Sequence, residues 1–106
     1  MKHYKLPSVT VRIEMIGPAE ALALLETAAE NRNINPGRVA AYKQLIERGE
    51  WHVINQGIGI GADGKLYDGQ HRLWAIAESG QTVPVLVMRG LTPEARAAID
   101  KGRGRS

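Results

Sequence analysis

The stretch Leu66-Tyr67-Asp68-Gly69-Gln70-His71-Arg72-Leu73-Trp74-Ala75-Ile76 changes its period in the middle. Leu66 and Tyr67 suit a strand, and Leu73, Ile76 and Ala77 recur at helical spacing. Gly69 stands at the corner between the two, and Gln70, His71 and Arg72 fill the first helical turn. That turn leaves backbone N–H groups without partners, and the helix dipole makes its end positive. A glycine just before it lets an anion approach the backbone closely. The pattern reads as a phosphate site formed by Gly69, Gln70, His71 and Arg72. Arg72 can grip phosphate oxygens with two N–H groups, and Gln70 offers a donor and an acceptor. His71 can donate to the anion or shuttle a proton near neutral pH, which makes it a catalytic candidate. Asp68 is the second catalytic candidate and the metal candidate: it could hold Mg²⁺ or a ribose hydroxyl, or simply cap the helix. Plainer roles stand beside these. Arg72 could pair with a surface carboxylate, and Trp74 suits the core or a pocket wall.

Working outward, "WHVINQGIGIGADGKLYDG" (51–69) is rich in glycine and β-formers. Asp63-Gly64 supplies a hairpin turn, with arms expected at Gly57–Gly61 and Lys65–Tyr67. Asn55, Gln56 and Gly57 precede the hairpin. Gln56 is a candidate for an amide contact to the phosphate, although turn chemistry also explains the segment. "GIGIGADG" lacks the lysine of a phosphate-binding loop and opens no helix, so it is not read as one.

Downstream, the helix is expected from about Gly69 to Glu78, closed by Ser79-Gly80. "TVPVLVMRG" (82–90) reads as a strand buried on both faces, with Pro84 at a sheet edge or near the strand's start. Thr92 then caps a last helix with Pro93 at its first position and Glu94 in its first turn. Upstream, "SVTVRIEMI" alternates: Val9, Val11, Ile13 and Met15 form the expected buried face, Thr10, Arg12 and Glu14 the wet one. Gly17-Pro18 ends it. "PAEALALLETAAENR" (18–32) reads as a helix with Ala21, Leu22, Leu25, Ala28 and Ala29 inward. Asn31-Arg32-Asn33 follows, where Arg32 either offsets the helix dipole or folds over the 69–72 turn as a second phosphate ligand. Asn35 caps a helix running from Pro36 to about Arg48, with Val39, Tyr42, Leu45 and Ile46 inward. The expected class is α+β, in the order β-α-α-β-β-α-β-α around a small mixed sheet.

The 106 residues fit one domain, 1–100, followed by a basic flexible tail, 101–106. Hydrophobic content of 43% and charged content of 24% favour a packed globule. Phe and Cys are both absent, so aliphatic side chains must build the core, with Trp51 and Trp74 its large pieces. Disulfides, thiolate catalysis and cysteine-based metal sites are excluded. No apolar run reaches membrane-spanning length, and no signal-peptide core is visible; an intracellular location and no membrane partner are expected. A net charge of +3 permits an anionic partner without requiring one. His3, His52 and His71 show no metal-ligand spacing, and nothing brings Glu14, Glu20 and Asp68 together.

With this order and "DGQHRLWAI" (68–76) in place, the chain resembles the partition protein B (ParB)/sulfiredoxin superfamily, closest to ParB-like "DGQHR" proteins of bacteriophages and mobile elements. The resemblance spans the strand "VTVRIEMI", the "NRN" loop, the stretch from Arg48 to Ile76, "TVPVLVMRGL" and "DKGRGRS". It implies that Gly69-Gln70-His71-Arg72 binds a nucleoside triphosphate, CTP or ATP, with Arg32 assisting and Mg²⁺ as cofactor. It also implies the cytoplasm of a bacterial host. The superfamily's sulfiredoxins place a catalytic cysteine where this chain has Gln70, so that activity is excluded. True ParB proteins continue into a helix-turn-helix DNA-binding domain and a dimerisation domain, so specific centromere binding in cis is not expected of this sequence; the phage relatives are often longer, and a trimmed or minimal version is the expectation.

Three functions follow as expectations. The first is a nucleotide-phosphate-binding domain in the DNA metabolism of a phage or mobile element, with slow Mg²⁺-dependent hydrolysis. The second is an enzyme, either a metal-dependent nuclease or a small-molecule kinase; free-serine kinases of the superfamily carry Asp-Gly-His-His-Arg, one residue from Asp68 to Arg72 here. The third is a non-catalytic module that binds DNA, a nucleotide or a host factor. A homodimer or a host or phage protein is the expected protein partner.

Overall fold

The computed structural model describes residues 3–28 and 33–103. Four strands and four helices follow the expected order. They are β1 (Thr10–Ile16), α1 (Pro18–Glu26), α2 (Pro36–Glu47), β2 (Ile58–Gly61), β3 (Leu66–Asp68), α3 (Gln70–Ser79), β4 (Val83–Leu91) and α4 (Pro93–Arg103). The sheet is mixed, in the order β1-β4-β2-β3. β4 is one of its two interior strands, antiparallel to β1 and parallel to β2. The chain is therefore a small α+β domain. Helix α4 runs through Arg103, so the first half of the expected tail, 101–103, is helical; 104–106 lie outside the described residues.

The turn and cap residues act as their chemistry dictates. Asn35 Oδ1 accepts the Arg38 N–H at 3.2 Å at the start of α2. Thr92 Oγ1 accepts the Ala95 N–H at 3.1 Å at the start of α4. In the hairpin, Gly64 adopts φ +82° and Asp63 Oδ1 accepts the Lys65 N–H at 3.0 Å. Helix α1 is shorter than expected and stops at Glu26. Thr27 Oγ1 donates to the Leu24 carbonyl at 2.6 Å and accepts the Leu66 N–H at 2.9 Å. A single hydroxyl thus closes the helix and ties it to β3.

Ile16, Ala21, Val39, Ile46, Ile58, Ile60, Leu66, Leu73, Ala75, Ile76 and Val83, Val85 and Val87 form one buried cluster. Each fully buried Val, Leu or Ile side chain among them contributes about 1.5–3 kcal/mol. All three helices α1, α2 and α3 pack on one face of the sheet, with α3 between the others. Trp51 and Trp74 pack against the cluster from its margin and are only partly buried.

Three expectations about faces are overturned. In β1 the inward face is Ile16, with Glu14, Arg12 and Thr10 behind it, while Val11, Ile13 and Met15 are 53, 64 and 57% exposed. The register explains this. Ile16 lies opposite Val83, whose face the helices cover, and Val11, Ile13 and Met15 lie opposite Met88, Leu86 and Pro84 on the other face. For the same reason β4 is buried on one face only: Val83, Val85 and Val87 point into the core, and Met88 is 37% exposed. Pro84 is the second residue of this interior strand, so it marks the strand's start and not a sheet edge. In the helices, Leu22 and Leu45 are exposed rather than inward.

Candidate anion-binding site

The corner at Asp68-Gly69 is built by close approach. Gly69 is the N-cap of α3, with φ +105°, in the left-handed region that favours glycine. A Cβ there would sit 2.9 Å from Ile58 Cγ1 and 3.0 Å from the Gly57 carbonyl oxygen. Gly57 is itself pressed against the Leu86 carbonyl, leaving no room for a side chain. The two glycines bring the 55–57 segment against the start of α3. Asp68 is consequently the last residue of β3, not the helix cap, and no side chain caps α3.

This approach lets Arg72 Nη2 donate to Gln56 Oε1 at 3.1 Å, sixteen residues away in sequence. The Arg72 guanidinium also lies over the Tyr42 ring, 4.8 Å from its centroid. Tyr42 meets Trp51 edge to face, with centroids 6.3 Å apart and planes at 78°. The Trp51 indole N–H is anchored on the Pro84 carbonyl at 2.8 Å. Between Tyr42, Trp51, Ile54, Gln56, Arg72 and Leu86 lies a cavity of about 160 Å³.

His71 takes a different direction. Its Nε2 accepts the backbone N–H of Asn35 at 3.0 Å, which places the ring proton on Nδ1. Partial burial holds its pKa below the usual histidine value, and the Arg38 and Arg72 cations lower it further; the Asp68 carboxylate opposes them. His71 is thus a neutral link between the starts of α2 and α3. The two helix N-termini meet here, and neither carries an acidic residue in its first turn. The other two helices do, with Glu20 in α1 and Glu94 in α4.

The structure therefore brings Gln56 to Arg72 beside the Gly69 corner and turns His71 toward Asn35, with Gln70 the first residue of the same helix. Arg32 lies outside the described residues. Among the described residues no three His, Asp or Glu side chains gather to hold a metal ion. Arg38, Tyr42 and Trp51 complete the site and were not read as part of it. The sequence points to core for Tyr42 and Trp51, because bulk and helical spacing alone do not separate a core residue from a pocket wall. Among the described residues no helix is long and apolar enough to cross a membrane. No protein-family model matches the chain, and no curated protein or solved structure matches it significantly.

Proposed function

We propose that this domain binds a nucleoside triphosphate, with the phosphates at the joined N-termini of α2 and α3 and the base in the neighbouring cavity. The observation that carries this reading is the meeting of two helix starts at the Asn35–His71 hydrogen bond, with Arg38 and Arg72 beside it and no first-turn carboxylate on either helix. Two positive helix ends and two guanidiniums favour a polyanion over a neutral ligand. Arg72 belongs both to the helix start and to the cavity wall, so it links the phosphate and base subsites.

The cavity supports a choice of base. A void of roughly 150 Å³ accepts one benzene-sized ring, and this pocket, half open to solvent, holds about 160 Å³. A pyrimidine fits that space against Tyr42 and Trp51, and CTP is favoured over ATP. Mg²⁺ would arrive on the triphosphate, with Asp68 as its protein contact. The ParB-like reading of "DGQHR" agrees with this ligand, and with a role in phage or mobile-element DNA metabolism in a bacterial cytoplasm.

Calorimetric titration with CTP, UTP, ATP and GTP, with and without Mg²⁺, tests the proposal. Pyrimidine nucleotides are expected to bind, purine nucleotides to bind at least about tenfold more weakly, one poorly accommodated ring being worth upward of 1.4 kcal/mol. Failure of all four to bind would end it. Phosphate release, or nicking of added plasmid, that disappears in Asp68→Ala would move the reading from binding to phosphoryl-transfer or nuclease chemistry.

A further inference from the structure

β1 is an edge strand of unusual character. Its seven residues pair with β4 in an unbroken register from Thr10↔Arg89 to Ile16↔Val83. Its other side faces no strand among the described residues. Every second residue there turns its backbone N–H and C=O away from β4, and such an edge is a template for another strand. Proteins usually blunt long edges with Pro, Lys or a bulge. β1 has no Pro, Lys or bulge, and its only such device is the charged pair Arg12 and Glu14 on the helix-side face. The segment leading into it does not cover it either, since Tyr4 and Leu6 are 96 and 97% exposed.

The sequence of the strand is self-complementary. When two copies of Thr-Val-Arg-Ile-Glu-Met-Ile run antiparallel with Ile13 opposite Ile13, Arg12 falls opposite Glu14 of the partner subunit, and Glu14 opposite the partner's Arg12. Opposite charges directly across a strand pair stabilise it, and like charges oppose it. On the other face, Val11 meets Met15 of the partner subunit on either side of the central isoleucine pair. These are the three apolar side chains left 53, 64 and 57% exposed in the single chain. Together with Met88 they present on the order of 400 Å² of largely apolar surface, a size that on a monomer commonly marks a contact site.

We propose that two copies of this chain associate through β1, antiparallel about a two-fold axis at Ile13, and join their sheets into one eight-stranded sheet. Glu14 already holds Arg89 of its own chain through both carboxylate oxygens, at 2.8 and 2.9 Å, so the partner's Arg12 would join an existing ion pair; the alternation of Arg12 and Glu14 still favours a second copy in this register over an unrelated strand. The contact is small for a stable dimer, so it forms reversibly and depends on concentration.

Sedimentation over a concentration series tests this, with circular dichroism as the check on folding. The unaltered chain is expected to pass from monomer to dimer. Arg12→Glu and Glu14→Arg each place two like-charged pairs across the axis and are expected to weaken the dimer about tenfold or more; Glu14→Arg also removes the Glu14–Arg89 pair within the chain, so Arg12→Glu is the cleaner of the two and the circular-dichroism check applies above all to Glu14→Arg. An equimolar mixture of the two variants restores two opposite-charge pairs and is expected to recover the dimer. The chain has no cysteine, so Ile13→Cys introduces a single thiol that should cross-link to its symmetry mate under mild oxidation. A chain that stays monomeric at all concentrations overturns the proposal. So does a dimer indifferent to both charge reversals, a mixture that fails to recover, or an Ile13→Cys variant that stays uncross-linked while dimeric.

Discussion

The backbone N–H of Asn35 points at Nε2 of His71 across 3.0 Å, while the Asn35 side chain caps its own helix. One residue therefore fixes the start of α2 and, through the imidazole, the start of α3. The acceptor role requires a neutral ring. Protonating Nε2 would set two donors against each other beside Arg38 and Arg72.

That requirement gives a pH dependence with a definite sign. The folded pKa of His71 lies below its ordinary value of 6.5, so between the two values the unfolded chain binds more protons. Stability from this group is intact above pH 6.5 and is lost as pH falls through the window below it. His71→Gln keeps an acceptor without a titrating ring. Urea unfolding between pH 5 and 8 should show a shallower dependence in the variant, and an identical slope would remove His71 as its source.

Arg72 is expected to matter for ligand far more than for folding. Its contacts to Gln56 and Tyr42 are solvent-accessible, and their loss in Arg72→Ala should cost about 1 kcal/mol or less. Nucleotide binding should be abolished. Arg72→Lys keeps the charge but loses the two-pronged donor and should bind at intermediate strength. A thermal melt beside each titration separates the two effects: a collapsed melt in Arg72→Ala would mark the residue as structural.

Thr27→Val deletes a hydroxyl that serves both the Leu24 carbonyl and the Leu66 N–H while keeping the side chain's shape. Leaving that strand N–H unpaired should destabilise the domain by about 1–3 kcal/mol. Equilibrium unfolding measures it, and hydrogen exchange at Leu66 should rise more than exchange in β4.

Gly69→Ala combines a left-handed backbone with a Cβ crowded by Ile58 and the Gly57 carbonyl. The strain alone should cost on the order of 1–3 kcal/mol. Gly64→Ala shares the positive φ, but its Cβ would meet nothing within 4 Å. Comparing the two variants isolates the effect of the corner's packing: Gly69→Ala should be the more damaging and should also weaken nucleotide binding.

The sequence made the element order legible because its punctuation is local. Asn35-Pro36, Asp63-Gly64 and Thr92-Pro93 act through hydrogen bonds within a few residues, and each appears where expected. What the sequence concealed was non-local. Period-two alternation shows that β1 has two faces, but the helices choose which is covered, and they lie on the Ile16–Val83 side. The Gly69–Arg72 turn was visible as a motif. Its surroundings were not, since Gln56, Tyr42 and Trp51 reach it only through close approach at two glycines and a bond to the Pro84 carbonyl.

The placement of β4 between β1 and β2 has a consequence for birth on the ribosome. Thr10 finds its ladder partner only at Arg89, so β1 leaves the exit tunnel long before its neighbour exists. At about 5–20 residues per second, that delay is of the order of several seconds. During it, Val11, Ile13 and Met15 travel on a strand unpaired along both margins. The nascent chain is then most open to capture by a chaperone, or by another copy emerging from the same polysome.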